Sequence, residues 1–102
     1  MNKKPKEAML ISSADNVATA LNRLNAGTVI SLSTTKGKKQ ILLKQPIDCG
    51  HKFSIKNINK GEPIIKYGEI IGLATEDIPE GYHVHIHNVE SRRGRGDKKI
   101  LD

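Results

Sequence analysis

The sequence predicts a mainly β domain carrying one short helix, and three observations lead there. Short apolar segments alternate with polar, turn-forming residues from Thr28 onward. Gly61, Gly68, Gly72 and Gly81, with Pro63 and Pro79, cut the second half of the chain into pieces mostly too short for helices. One stretch, residues 15–27, spaces its apolar residues as a helical stripe.

In chain order, residues 1–7 are polar and form an expected flexible N-terminus, residues 8–90 the domain, and residues 91–102 a basic C-terminal tail. MLIS at 9–12 is apolar enough to pair as an edge strand. Asp15 can cap a helix, Val17, Leu21 and Leu24 fall at i, i+4 and i+7, and Asn25-Ala26-Gly27 ends the run with a glycine where a left-handed residue is wanted. TVISLS at 28–33, QILLK at 40–44 and HKFSI at 51–55 read as strands, with a turn over 34–39 and an irregular loop around Pro46 and Gly50. YHVHIHNV at 82–89 reads as the last strand, with Val84 and Ile86 on a core face and His83, His85 and His87 on the other, because side chains alternate with period two. No internal repeat of useful length stands out, and SRRGRGDKK beyond it reads as a flexible exit.

At 102 residues the chain is one domain. Hydrophobic residues make up 36% and aromatic ones 3%, so Ile, Leu, Val and Ala must build the core, with Phe53, Tyr67 and Tyr82 the only rings. Such a core is thin, and a partner surface would add to its stability. The formal charge of +6 invites a nucleic-acid reading, but residues 1–7 and 90–102 contribute +2 each, which leaves +2 for everything between them. Three scattered aromatic residues give no stacking platform, so nucleic acid is the lowest-ranked partner. No apolar run approaches the roughly 20 residues of a membrane span, and MNKKPKE leads into no long apolar segment, so a cytoplasmic protein with no membrane partner is expected. The single Cys49 cannot close an internal disulfide, in keeping with a reducing compartment.

Three segments together resemble the SAF domain of altronate and galactarate dehydratases. ADNVATAL at 14–21 is similar to that family's opening helix, GHKFSIKNINKGEPIIKYGEIIGLAT at 50–75 to its central segment, and GYHVHIHNVESRRGRGD at 81–97 to the segment that closes the domain. The resemblance implies a SAF-type β-clip fold. In the family this domain is fused in front of a larger catalytic domain or made as a separate small subunit. Because the chain stops at Asp102, the separate form is expected, inactive alone and completed by a large catalytic dehydratase subunit, with homo-oligomerisation left open. The implied activity is elimination of water from an aldonate or aldarate such as altronate. A sulfolactate sulfo-lyase small subunit and a noncatalytic binding or assembly module are the alternatives, since the fold alone does not fix a function.

Such an elimination needs a base for the proton beside the carboxylate, an electrophile for the enediolate and help for the leaving hydroxyl. A divalent metal ion, iron or manganese, is the expected electrophile. His51, His85 and His87 are the candidate ligands, since His85 and His87 sit two apart and can reach one ion. His85, His87 and Lys66 are the candidate catalytic groups. Lys52, Tyr67 and Asn88 are the candidate substrate contacts, the lysine because a carboxylate wants a cationic donor in a partly desolvated cleft. His83, nearest the strand start, ranks last among the histidines. Cys49, two residues before His51, is more readily a small buried hydrophobe than a ligand. The same histidines could instead line a solvated strand face or a subunit interface.

Overall fold

The computed structural model describes residues 7–10, 12–35 and 37–91. Among them lie nine strands, β1 (Ala8–Met9), β2 (Val17–Ala20), β3 (Val29–Thr34), β4 (Gly37–Leu42), β5 (Lys52–Ser54), β6 (Pro63–Lys66), β7 (Glu69–Ala74), β8 (His83–Val84) and β9 (Val89–Ser91). They form antiparallel sheets in the orders β1-β2-β5-β8, β3-β4 and β6-β7-β9. The mainly β class holds, and β1 takes the expected edge position. Of the expected tails at 1–7 and 91–102, residues 1–6 and 92–102 fall outside the described residues, and Ser91 ends β9.

The helix expected over residues 15–27 is corrected: no helix occurs among the described residues, and its first half is the inner strand β2. Val17 packs with Ile58, Ile64 and Val84, while Ala18 and Ala20 belong to the cluster around Phe53. A strand covered on both faces needs no polar alternation, so its apolar residues mimic a helical stripe. Asp15 is a cap of a different kind. Its buried carboxylate accepts from the backbone amides of Ser12 at 3.1 Å, Tyr67 at 3.1 Å and Gly68 at 2.8 Å, which holds the β6–β7 turn. Within that turn Tyr67 is the only non-glycine residue with positive φ, 59°, among the described residues.

A short repeat governs the rest, correcting the expectation of none. Leu24-x-x-Gly27, Ile47-x-x-Gly50, Ile58-x-x-Gly61 and Ile78-x-x-Gly81 each make a tight turn ending in a glycine of φ 85–90°. The turns interlock in two pairs. Leu24 and Ile47 exchange both backbone hydrogen bonds at 2.8 Å, and Ile58 and Ile78 do so at 2.8 and 2.7 Å. In both pairs the glycine amide then donates to a residue four positions before the partner turn's aliphatic: Gly27 to Leu43, Gly50 to Ala20, Gly61 to Ala74 and Gly81 to Ser54. All four aliphatic residues are buried. The hairpins β3–β4 and β6–β7 each spring from between the two turns of one such clasp.

The four-stranded sheet lies between two apolar clusters. Phe53, Ala18 and Ala20 face one, with Ile30, Ile41 and Ile47; Val17 and Val84 face the other, with Ile58, Ile64 and Ile78. Full burial of a residue such as Phe53 contributes about 1.5–3 kcal/mol. The last strand is also corrected. Only His83–Val84 is strand; the chain turns over residues 85–88, and Ile86, expected in the core, is 84% exposed. Asn88 makes the turn. Its Oδ1 accepts from His85 N at 3.0 Å, its Nδ2 donates to His83 O at 2.8 Å, and its own amide donates to His85 O at 3.2 Å.

Candidate metal centre

Two turns deliver the histidines. His51 follows Gly50, with its amide bonded to Asp48 O at 2.9 Å, and enters β5; His83 follows the Gly81 turn and opens β8, its amide bonded to Gln45 Oε1 at 2.9 Å. The antiparallel register pairs Phe53 with His83 and Lys52 with Val84. One step further along the same register, His51 comes opposite His85.

The result is a stack of imidazoles. The rings of His51 and His85 lie nearly parallel with centroids 4.0 Å apart, His83 stacks against them at 5.1 and 5.5 Å, and His51 Nδ1 is 2.9 Å from His83 Nε2. One ring nitrogen from each of His51, His83 and His85 lies within 4.8 Å of the other two. Nitrogen ligands on one ion at about 2.0–2.1 Å stand about 3 Å apart, so the His51–His83 pair already has ligand spacing. His85 Nδ1 is buried without a hydrogen-bond partner, which costs free energy unless something else occupies its lone pair or takes its proton. The donor set therefore fits a divalent ion.

Electrostatics favour the neutral form of two of these imidazoles. Burial holds the His83 imidazolium below its usual range, with His87, His51 and His85 adding like-charge repulsion and Asp48 opposing. Burial, then His51, Lys52 and His87, push His85 down in the same way. A depressed value leaves a lone pair free for metal at neutral pH.

The expected residues are distributed as follows. His51 and His85 meet, but the third nitrogen comes from His83, ranked last from the sequence, rather than from His87. His87 touches the group only through its ring, tilted 37° from His83 with centroids 5.1 Å apart. The register that brings His83 opposite Phe53 decides this, and no local spacing reveals it. Lys52 is half-buried, and burial followed by repulsion from Lys66 lowers its ammonium pKa. It lines a cleft of ≈ 180 Å³ with Ile71, His85, Ile86, Val89 and Ser91. Lys66 lies with its Nζ 4.7 Å over the Tyr67 ring, and Tyr67 is 59% exposed. Asn88 has both amide atoms engaged by backbone, so it shapes the turn that carries His85. Cys49 is exposed, its thiol donating to Leu21 O at 3.3 Å, outside the imidazole group.

Comparison with known proteins shows what this sequence is similar to. The family model described as the altronate/galactarate dehydratase SAF domain matches residues 6–92. The altronate dehydratase of Escherichia coli (strain K12) is 43% identical over 81 residues, 79% of this chain, and that of Bacillus subtilis (strain 168) 34% identical over 86 residues, 84% of the chain. The chain spans 16% of the length of each of those two enzymes. The (2R)-sulfolactate sulfo-lyase subunit alpha of Chromohalobacter salexigens is 41% identical over 54 residues, which cover 53% of this chain and 57% of that subunit. No helix among the described residues is long and apolar enough to cross a membrane.

Proposed function

Because this chain belongs to the SAF-domain family of the altronate and galactarate dehydratases, we propose that it serves as the small subunit of a hydro-lyase acting on an aldonate or aldarate, completed by a large catalytic subunit. The observation that carries this reading is the convergence of His51, His83 and His85 on one point. Rings dispersed over the strand face would instead have favoured a noncatalytic docking module.

In this reading His51, His83 and His85 hold a divalent ion, iron or manganese. Bound there, the ion would act as a Lewis acid toward the substrate's carboxylate end. Asn88 and the β5–β8 register orient the ligands before substrate arrives, so little ordering remains to be done on binding. Lys52 presents a half-desolvated ammonium beside His85 for the substrate carboxylate, with Lys66 reinforcing the positive field. His87 stays off the ion and is the imidazole assigned to proton transfer, a ring away from the ligands. Tyr67, exposed at the β6–β7 turn that Asp15 holds, is assigned in this reading to contact with substrate or the large subunit.

Support for a two-subunit arrangement comes from the likeness to a lyase subunit named alpha. That likeness also favours a sulfo-lyase reading, in which sulfite rather than water leaves. The deciding experiment is to purify the chain with its large subunit and assay altronate and galactarate dehydration beside sulfite release from sulfolactate. Dehydration that needs both chains and is lost in His85→Ala supports the proposal. Activity of this chain alone, or a complex inert toward all three acids, overturns it.

A further inference from the structure

Ile86 stands at the apex of the 85–88 turn, between His85 and His87, and 84% of it is exposed. A large aliphatic side chain held in water by a turn that Asn88 rigidly ties is an unspent source of association free energy. Its surroundings extend the apolar surface. Ile71 and Val89 line the ≈ 180 Å³ cleft with Ile86, and Ile70 next to Ile71 is exposed as well. The polar lining of that cleft comes from Lys52, His85 and Ser91, and His85 belongs to the imidazole stack.

A polyhydroxylated acid held by its carboxylate at Lys52 leaves the three aliphatic walls unmatched, because each hydroxyl buried against them loses a hydrogen bond to water. An apolar protein side chain is a good match for them. The chain matches only 16% of the length of each altronate dehydratase, so most of such an enzyme lies outside the segment that carries the imidazoles. Whatever completes the site has to come up against the turn bearing His85 and His87.

We propose that Ile86, with Ile71 and Val89, is the seat on which an apolar side chain of the large lyase subunit docks, covering the imidazole stack and closing it to bulk water. This rests on the two-subunit reading above. It adds a role for a residue that holds no metal and touches no substrate: Ile86 sets how tightly the large subunit closes over the histidines.

The test is Ile86→Asp and Ile86→Ser in the full-length chain, titrated against the purified large subunit by calorimetry, with divalent-metal binding and sedimentation of each variant measured alone. Binding of the large subunit is expected to fall about tenfold to a hundredfold, the worth of one buried aliphatic side chain, with Ile86→Asp at the severe end. Metal stoichiometry should stay that of the parent chain, since an aliphatic side chain that is 84% exposed offers no ligand atom. Unchanged affinity for the large subunit in Ile86→Asp overturns the docking role, as does a parent chain that self-associates through this face and is made monomeric by the substitution. If the parent chain itself fails to bind the large subunit, the two-subunit reading falls first, and the proposal with it.

Discussion

His83 brings a ring nitrogen to 2.9 Å from His51, whereas His87 meets the group only through a tilted ring contact. The two should therefore separate under metal titration. His83→Ala is expected to abolish stoichiometric binding of manganese by calorimetry, and His87→Ala to weaken it by less than about tenfold, the smaller end of what outer contacts contribute. Equal losses in both variants would return His87 to the ligand set. The same residues set a pH dependence in metal-free protein. His83 and His85 both have folded-state pKa values below the ordinary 6.5, so the unfolded chain binds more protons as pH falls through 6.5. Stability is then complete above about 6.5 and lost as pH drops toward the folded values. The urea midpoint should fall between pH 7.5 and pH 5.5, and fall less in a His83→Gln, His85→Gln double variant; identical slopes in the two proteins would remove these histidines as the cause.

At the scale of elements, β2 and the final turn show where sequence reading fails. Asp15, Val17, Leu21 and Leu24 carry every local mark of a helix, yet tertiary context assigns the carboxylate to a distant turn and buries Val17 and Ala18 on opposite faces of a sheet. Likewise YHVHIHNV alternates as a strand should, but Asn88 reaches back to His83 and folds the segment after two residues. Strands that face solvent on one side, such as β3 with buried Ile30 and Leu32 alternating with exposed neighbours, were readable because burial imprints the period. The clasp turns give a sharper element-level prediction. Gly61 and Gly81 share φ 88°, but a Cβ on Gly81 would come 2.1 Å from Leu42 O, while one on Gly61 would meet nothing within 4 Å. Gly61→Ala should cost about 1–2 kcal/mol for the left-handed conformation alone. Gly81→Ala adds a backbone clash and should cost markedly more, so matching urea midpoints for the two variants would refute the close approach.

For the whole molecule, punctuation by glycine and proline was enough to predict a mainly β chain, because it limits most segments of the second half to strand length. The two-cluster core and the clasps were not readable, since the repeat is carried by one aliphatic and one glycine in each turn and the intervening residues differ. The site was half readable for a related reason. His51 and His85 could be singled out by type, but their meeting with His83 depends on the register of β5 against β8, and that register is fixed by Phe53, Ala18 and the turns rather than by the histidines. A thin core built this way gains its order from interlocked backbone as much as from apolar area.

The clasps also separate what must stay fixed from what is free to vary in length. Hydrogen bonds from Gly27 to Leu43 and from Leu43 to Thr28 lock the base of the β3–β4 hairpin, and β5 and β8, whose ends carry the histidines, belong to a different sheet. Residues grafted between Thr34 and Gly37, at the far end of the hairpin, therefore add only loop-closure entropy, which grows slowly with length. A chain carrying a ten-residue Gly/Ser insert there is expected to bind manganese with the parent's affinity in the same calorimetric titration. Such a position offers an attachment point for a fluorophore or an affinity tag that reports on the imidazole site without disturbing it.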